Sequence, residues 1–189
     1  MFIAGACTSA NQNQVSKLVG TEFVRMNNLP AKVHHAICGS FNQTGIVCGS
    51  NNCYSVTKDG LTGTLPVTSY PHAYGGVVGF NNKAVIFGGT SATSYFTEEY
   101  NPDTNSWRIV NSSNPFGETT YYRFSAVATE DAIYSFGGYS EYYANRIYVM
   151  NSDFEWSLHP QALKSGRDAH KAMRNGIKYQ LIIYNRRFR

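Results

Sequence analysis

The chain has 189 residues, and its 16 Lys and Arg against 12 Asp and Glu leave a net charge of +4, too mild to mark a nucleic-acid binder. Charged residues make up only 15%, below the roughly 25% of an average soluble domain, whereas 14 Tyr, 11 Phe and 2 Trp supply a core and argue against disorder. One domain spanning 1–189 is expected at this length, and no run approaches the roughly 20 apolar residues of a membrane span.

The chain opens on FIAGA at 2–6, too short and too poor in preceding basic residues for a secretory signal. The same kind of run, apolar and ending in small residues, returns as IVCGS at 46–50, VIFGG at 85–89 and YSFGG at 134–138. The first glycines, Gly5, Gly49, Gly88 and Gly137, are spaced by 44, 39 and 49 residues, a period in the range of propeller blades. An aromatic follows at a nearly fixed offset: Phe23 lies 18 residues after Gly5, and Trp107 and Trp156 lie 19 after their glycines. In the second unit GLTGTLPV at 60–67 holds that place without an aromatic. A third marker opens the next strand: HHAICGSF from His34, HAYGGVVGF from His72, RFSAVATED from Arg123 and AHKAMRNG from Ala169.

Each unit resolves into four short extended segments. In the third these are 72–82, 83–89, 94–102 and 106–111, β-branched or aromatic and separated by turn residues. Asn101-Pro102-Asp103-Thr104-Asn105 is a turn with a mechanism, because Pro presets φ while Asn and Asp bond to nearby backbone. A helical reading competes only over 164–173, since no other window sustains a 3.6-residue period. The repeats run roughly 2–44, 45–83, 84–132 and 133–178, with a partial fifth strand at 179–185. Four-stranded antiparallel units with this period predict an all-β, radial propeller of about four blades. The first unit starts at a second strand, and the C-terminal part supplies one inner strand and one further strand, which overfills a closed four-bladed ring by one strand. An incomplete propeller is therefore expected, with open blade edges that invite self-association.

The paired glycines Gly88-Gly89 and Gly137-Gly138, the tyrosines Tyr100 and Tyr148 about eleven residues on, and Trp107 and Trp156 make the sequence resemble the kelch family of β-propellers. Units one and two keep the pattern as Gly5-Ala6 and Gly49-Ser50, and Tyr184-Asn185 replaces a fifth pair. The resemblance implies glycines that allow close packing at strand ends and aromatics that fill the space between blades. It also implies partner recognition of the sort seen in substrate-binding modules of ubiquitin-ligase adaptors and in actin-associated scaffolds. Some kelch-like propellers are copper oxidases with a Tyr crosslinked to a Cys, but no Cys or Tyr here carries a motif for that.

Cys7, Cys38, Cys48 and Cys53 form no C-x-x-C pair and no zinc spacing, and they read as buried free thiols in a reducing, cytoplasmic compartment. Asn42-Gln43-Thr44 and Asn111-Ser112-Ser113 fit a glycosylation pattern too common to overturn that. His34, His35, His72 and His170 invite a metal reading, but three of them are expected to share one repeat position, which favours packing or hydrogen bonding over metal binding. The adjacent pairs Glu98-Glu99 and Glu130-Asp131 point to opposite faces of a strand and read as edge and turn charges rather than a catalytic pair. Gly75-Gly76-Val77-Val78-Gly79 lacks the Lys-Ser/Thr of a phosphate loop and falls within a strand. No catalytic residue, cofactor or metal is expected.

Tyr121, Tyr122 and Arg123, with Tyr142, Tyr143 and Arg146, flank loops and combine aromatic area with a guanidinium, the composition that protein interfaces enrich. They are the expected partner-binding residues of a non-catalytic interaction module. From Lys164 onward eight basic residues face one acid, a net of +7, so residues 1–163 carry −3. This basic ending suggests a second reading, RNA or an anionic surface as the ligand, although it lacks a stacking platform. A galactose-oxidase-like or sialidase-like enzyme is the third, and it requires bound copper or clustered acids.

Overall fold

The computed structural model describes residues 2–4, 13–93, 95–111, 120–140, 142–143, 145–170 and 172. Among them every regular element is a strand, and residues 164–170 form no helix. The first sheet has three strands in the order β1 (Phe2–Ala4), β2 (Val15–Val19) and β3 (Glu22–Arg25). The second is β4 (Ile37–Phe41), β5 (Thr44–Gly49), β6 (Asn52–Val56) and β7 (Thr62–Thr64), and the third is β8 (Gly76–Phe80), β9 (Lys83–Phe87), β10 (Thr97–Asn101) and β11 (Ser106–Asn111). The fourth starts with β12 (Ser125–Ala128) and β13 (Ile133–Phe136). A ribbon of β14 (Tyr139–Ser140) and β15 (Tyr142–Tyr143) intervenes, and β16 (Ile147–Met150) and β17 (Trp156–Leu158) finish the sheet. All pairings are antiparallel.

Local sequence explains the tight connections. Asn42-Gln43 and Asn81-Asn82 join the first two strands of the second and third sheets, and all four residues have positive φ, as two-residue hairpins demand. In the 101–105 turn the Asp103 N–H donates to Asn101 Oδ1 at 3.0 Å and the Tyr100 hydroxyl to Asn105 Oδ1 at 2.9 Å. The 151–155 turn repeats the first of these bonds between Asp153 N–H and Asn151 Oδ1.

The sheets stack face to face, with β4, β8 and β12, an edge strand of each, side by side along one edge of the stack. That edge is backbone-crowded: a Cβ on Gly39 in β4 would lie 2.4 Å from the Val77 carbonyl oxygen of β8, so only glycine lets the two inner strands approach. One apolar cluster fills each gap. Val15, Leu29, Val47, Tyr54 and Val56 lie between the first and second sheets. Ile37, Ile46, Val77, Ala84, Ile86 and Tyr100, with Trp107 against them, lie between the second and third. Phe80, Val85, Phe87, Ile133, Tyr148 and Met150, with Trp156, lie between the third and fourth.

Two sequence expectations fail. Cys48 and Cys53 are not free thiols: they face each other across β5 and β6 and form a disulfide, with Cα atoms 4.1 Å apart. Residues five apart across a two-residue turn fall directly opposite in an antiparallel pair, a geometry that a search for C-x-x-C does not catch. Cys38 is free but exposed rather than buried, and Cys7 lies outside the described residues. Nor are Glu98 and Glu99 edge charges. β10 has a strand on either side and a sheet on either face, so both carboxylates are buried. Glu99 accepts from Lys83 Nζ and Arg108 Nε, each at 2.9 Å.

Candidate functional site

At one end of the inner strands three repeat-equivalent residues, His35, Tyr74 and Arg123, all take positive φ, at 51°, 62° and 56°. The Tyr74 N–H donates to the His35 carbonyl at 3.3 Å, the Arg123 N–H to the Tyr74 carbonyl at 2.8 Å, and the Ala169 N–H to the Arg123 carbonyl at 2.8 Å. Ala169, with φ of 49°, takes the next step. This succession of bonds runs across the sheets from one inner-strand opening to the next and forms a rim.

The rim side chains stack in a row. The His35 and Tyr74 rings lie 4.3 Å apart and nearly parallel, and the Arg123 guanidinium carbon sits 5.3 Å from the Tyr74 ring and 5.7 Å from the Tyr122 ring. The Tyr139 ring follows 5.2 Å beyond Tyr122. Two tyrosine rings, tilted 49° to each other, thus hold the guanidinium within cation–π range. The Arg123 side chain is 45% exposed, and Asp168 Oδ2 stands 3.7 Å from its Nη1, an ion pair too long for a hydrogen bond.

A buried network fixes Tyr74 from below. His72 Nδ1 lies 2.8 Å from the Gly88 carbonyl and Nε2 lies 3.1 Å from Glu98 Oε1. Glu98 also accepts the N–H groups of Ser69 at 2.8 Å and Tyr70 at 3.0 Å. Burial pushes the Glu98 carboxyl up, yet the bonds from His72, Ser69 and Tyr70 outweigh it and hold the group below its ordinary range. The His72 ring is thus held between two acceptors, the Gly88 carbonyl and the Glu98 carboxylate.

Of the expected binding residues, Tyr122 and Arg123 are brought together on the rim. Tyr121 is a correction: it is 2% exposed, donates to the Gly137 carbonyl at 2.7 Å, and stacks on Phe124 at 4.4 Å. Alternation along the chain turns Tyr121 into the core as Tyr122 turns out, and burial pushes its phenol upward. Tyr142 and Tyr143 supply the backbone of β15, and their side chains lie outside the described residues. Arg146 is exposed, and a side-chain bond with Tyr148 raises its guanidinium.

The repeat residues occupy corresponding places. Gly88 and Gly89 follow β9, and Gly137 and Gly138 follow β13, all with positive φ. A Cβ on Gly88 would stand 2.7 Å from the Tyr121 carbonyl oxygen. Gly49 ends β5, and Gly5 lies outside the described residues. Trp107 Nε1 donates to the Pro66 carbonyl at 2.9 Å and Trp156 Nε1 to Thr97 Oγ1 at 3.1 Å, each tying its sheet to the preceding one.

His35 and Tyr74 were missed as site residues. Their signal was present, because aligning VHHA, HAYG, YYRF and RDAH puts His35, Tyr74, Arg123 and Ala169 in one column. The histidines expected to share one repeat position do not: in this register His34 matches Ala73, His72 matches Val33 and His170 matches Phe124, and His72 and His170 are buried while His34 is exposed. Among the described residues no group of three or more His, Cys, Asp or Glu could hold a metal ion, and no helix is long and apolar enough to cross a membrane. Lys164, Arg167 and Asp168 are the described part of the basic ending; Lys171, Arg174, Lys178, Arg186, Arg187 and Arg189 lie outside it.

Compared with solved structures, the chain matches the structure of YjhT with a TM-score of 0.70 over 90% of its own length, at 13% sequence identity. The architecture is a β-propeller. The chain spans 65% of the length of that structure, and among the described residues its sheets form an open succession rather than a closed ring. Neither a family model nor a curated protein matches the chain.

Proposed function

We propose that the protein is a kelch-type recognition module that binds a partner protein at the rim formed by His35, Tyr74, Tyr122 and Arg123. The observation that carries this reading is the state of Arg123. It is held over two tyrosine rings, half-exposed, with no hydrogen bond from its guanidinium among the described residues. Prealigned aromatic area beside a charged donor edge is what anchors a partner, because little side-chain entropy is lost on binding. The kelch assignment draws support from Gly88-Gly89, Gly137-Gly138 and the matched roles of Trp107 and Trp156 between sheets. The Cys48–Cys53 bond favours an oxidising compartment over the cytoplasmic one expected from the sequence.

The test is quantitative affinity capture with the whole chain and its Arg123→Ala and Tyr122→Ala variants. Both side chains sit at the surface, so folding stability should change by less than about 1 kcal/mol. Captured partner should fall by about tenfold or more. Undiminished capture by both variants would sink the rim reading.

A further inference from the structure

We propose that the Cys48–Cys53 disulfide is a redox-governed staple that positions the recognition rim through a strap of residues 68–74. The two sulfurs lie immediately behind the last register pair of the β5–β6 hairpin, Gly49 and Asn52, so only Ser50 and Asn51 project beyond it. That tip is the strap's anchor. The Asn51 carbonyl accepts the Thr68 N–H at 3.0 Å and the Thr68 hydroxyl at 3.3 Å, and Asn51 Nδ2 donates to the Thr68 carbonyl at 3.1 Å. The Ser50 carbonyl accepts the His72 N–H at 3.1 Å. Two residues after His72 comes Tyr74, which stacks on His35 and lies within cation–π range of Arg123.

The tip has its own reason to spread when unstapled. Ser50 holds φ at 57°, a left-handed conformation unfavourable for a residue with a Cβ, and its side chain is exposed. Cys38 cannot serve as the internal exchange partner. It pairs with Val47, one residue out of phase with Cys48, and so points to the opposite face of the sheet. The reductant we propose is an external dithiol, which balances the step. One of its thiolates attacks a cystine sulfur to form a mixed disulfide, and its second thiol displaces the remaining protein sulfur. The protein gains two electrons and two protons as a pair of thiols, and the dithiol leaves as its own disulfide.

Amide hydrogen exchange on the full chain, oxidised and after treatment with a dithiol, tests the proposal without any partner. Reduction should speed exchange at Thr68 and His72 by about tenfold or more while Val85 and Ile86 of β9 keep their protection. Unchanged exchange at Thr68 and His72 overturns it. So does an equal loss at Val85 and Ile86, which would make the bond a stabiliser of the whole fold. A Cys48→Ala/Cys53→Ala variant should no longer respond to the dithiol, and a persisting response also overturns the proposal. If that variant does not fold, the wild-type comparison decides alone. The consequence for binding rests on the rim reading, and the two fail separately, since exchange can respond to reduction whether or not Arg123→Ala loses a partner.

Discussion

At the scale of single residues, charge burial is the dominant constraint. Glu98 is fully buried, and such a carboxylate survives there only because His72 and two backbone N–H groups satisfy it. Its folded-state pKa lies below the ordinary 4.5, so it contributes stability that is complete above about pH 4.5 and is lost as pH falls through the lower folded value. Glu98→Gln should therefore flatten the acid limb of the stability curve. At neutral pH it should cost about 3 kcal/mol, because the buried His72 ring and the Ser69 and Tyr70 N–H groups lose a charged acceptor. Urea denaturation at pH 7 and about pH 3.5 checks both statements, and an unchanged acid slope would contradict the first.

Single strands gain their place from what they press against. β17 ends the fourth sheet, and one face of it is bound to the third sheet by Trp156, whose ring lies 4.9 Å from Phe87 and whose indole N–H reaches Thr97. Trp156→Phe keeps most of the ring contact and drops the indole hydrogen bond, so it should cost about 1 kcal/mol. Trp156→Ala should cost about 2–3 kcal/mol, less than for a wholly buried ring because Trp156 is only half-buried. Equal losses for the two variants in chemical denaturation would show that the hydrogen bond, not the ring, holds the strand.

Across the whole molecule, the same position reveals where the stack is open. In register, Trp107 pairs with Tyr100 and Trp156 with Met150, and both tryptophans face the preceding sheet. Phe23 pairs with Leu18 and holds the corresponding place on β3, yet no sheet precedes it among the described residues, and it is 52% exposed. An apolar face built like an inter-sheet face but left uncovered drives association. Sedimentation velocity over about a hundredfold range of concentration should show concentration-dependent assembly. Phe23→Ser should suppress it with little effect on stability. A wild-type chain that stays monomeric throughout would refute this.

The periodic features were legible in the sequence because they are local. Glycines at strand ends, Asn-rich two-residue turns and a tryptophan 19 residues after each Gly88-type glycine each fix a strand or its end without help from distant residues. That determined the all-β blade order and the openings at His34, His72 and Arg123, each just ahead of an inner strand. What alternation and spacing could not decide was which face would be covered. Glu98 and Glu99 read as edge charges until a sheet on either side buried them, and Tyr121 and Tyr122 read as one pair until the core took the first and the rim the second. The Cys48–Cys53 bond needed the register of one hairpin, and the repeat column that holds His35, Tyr74 and Arg123 could not show that their side chains stack in a row reaching Tyr139, because the packing of successive sheets decides that.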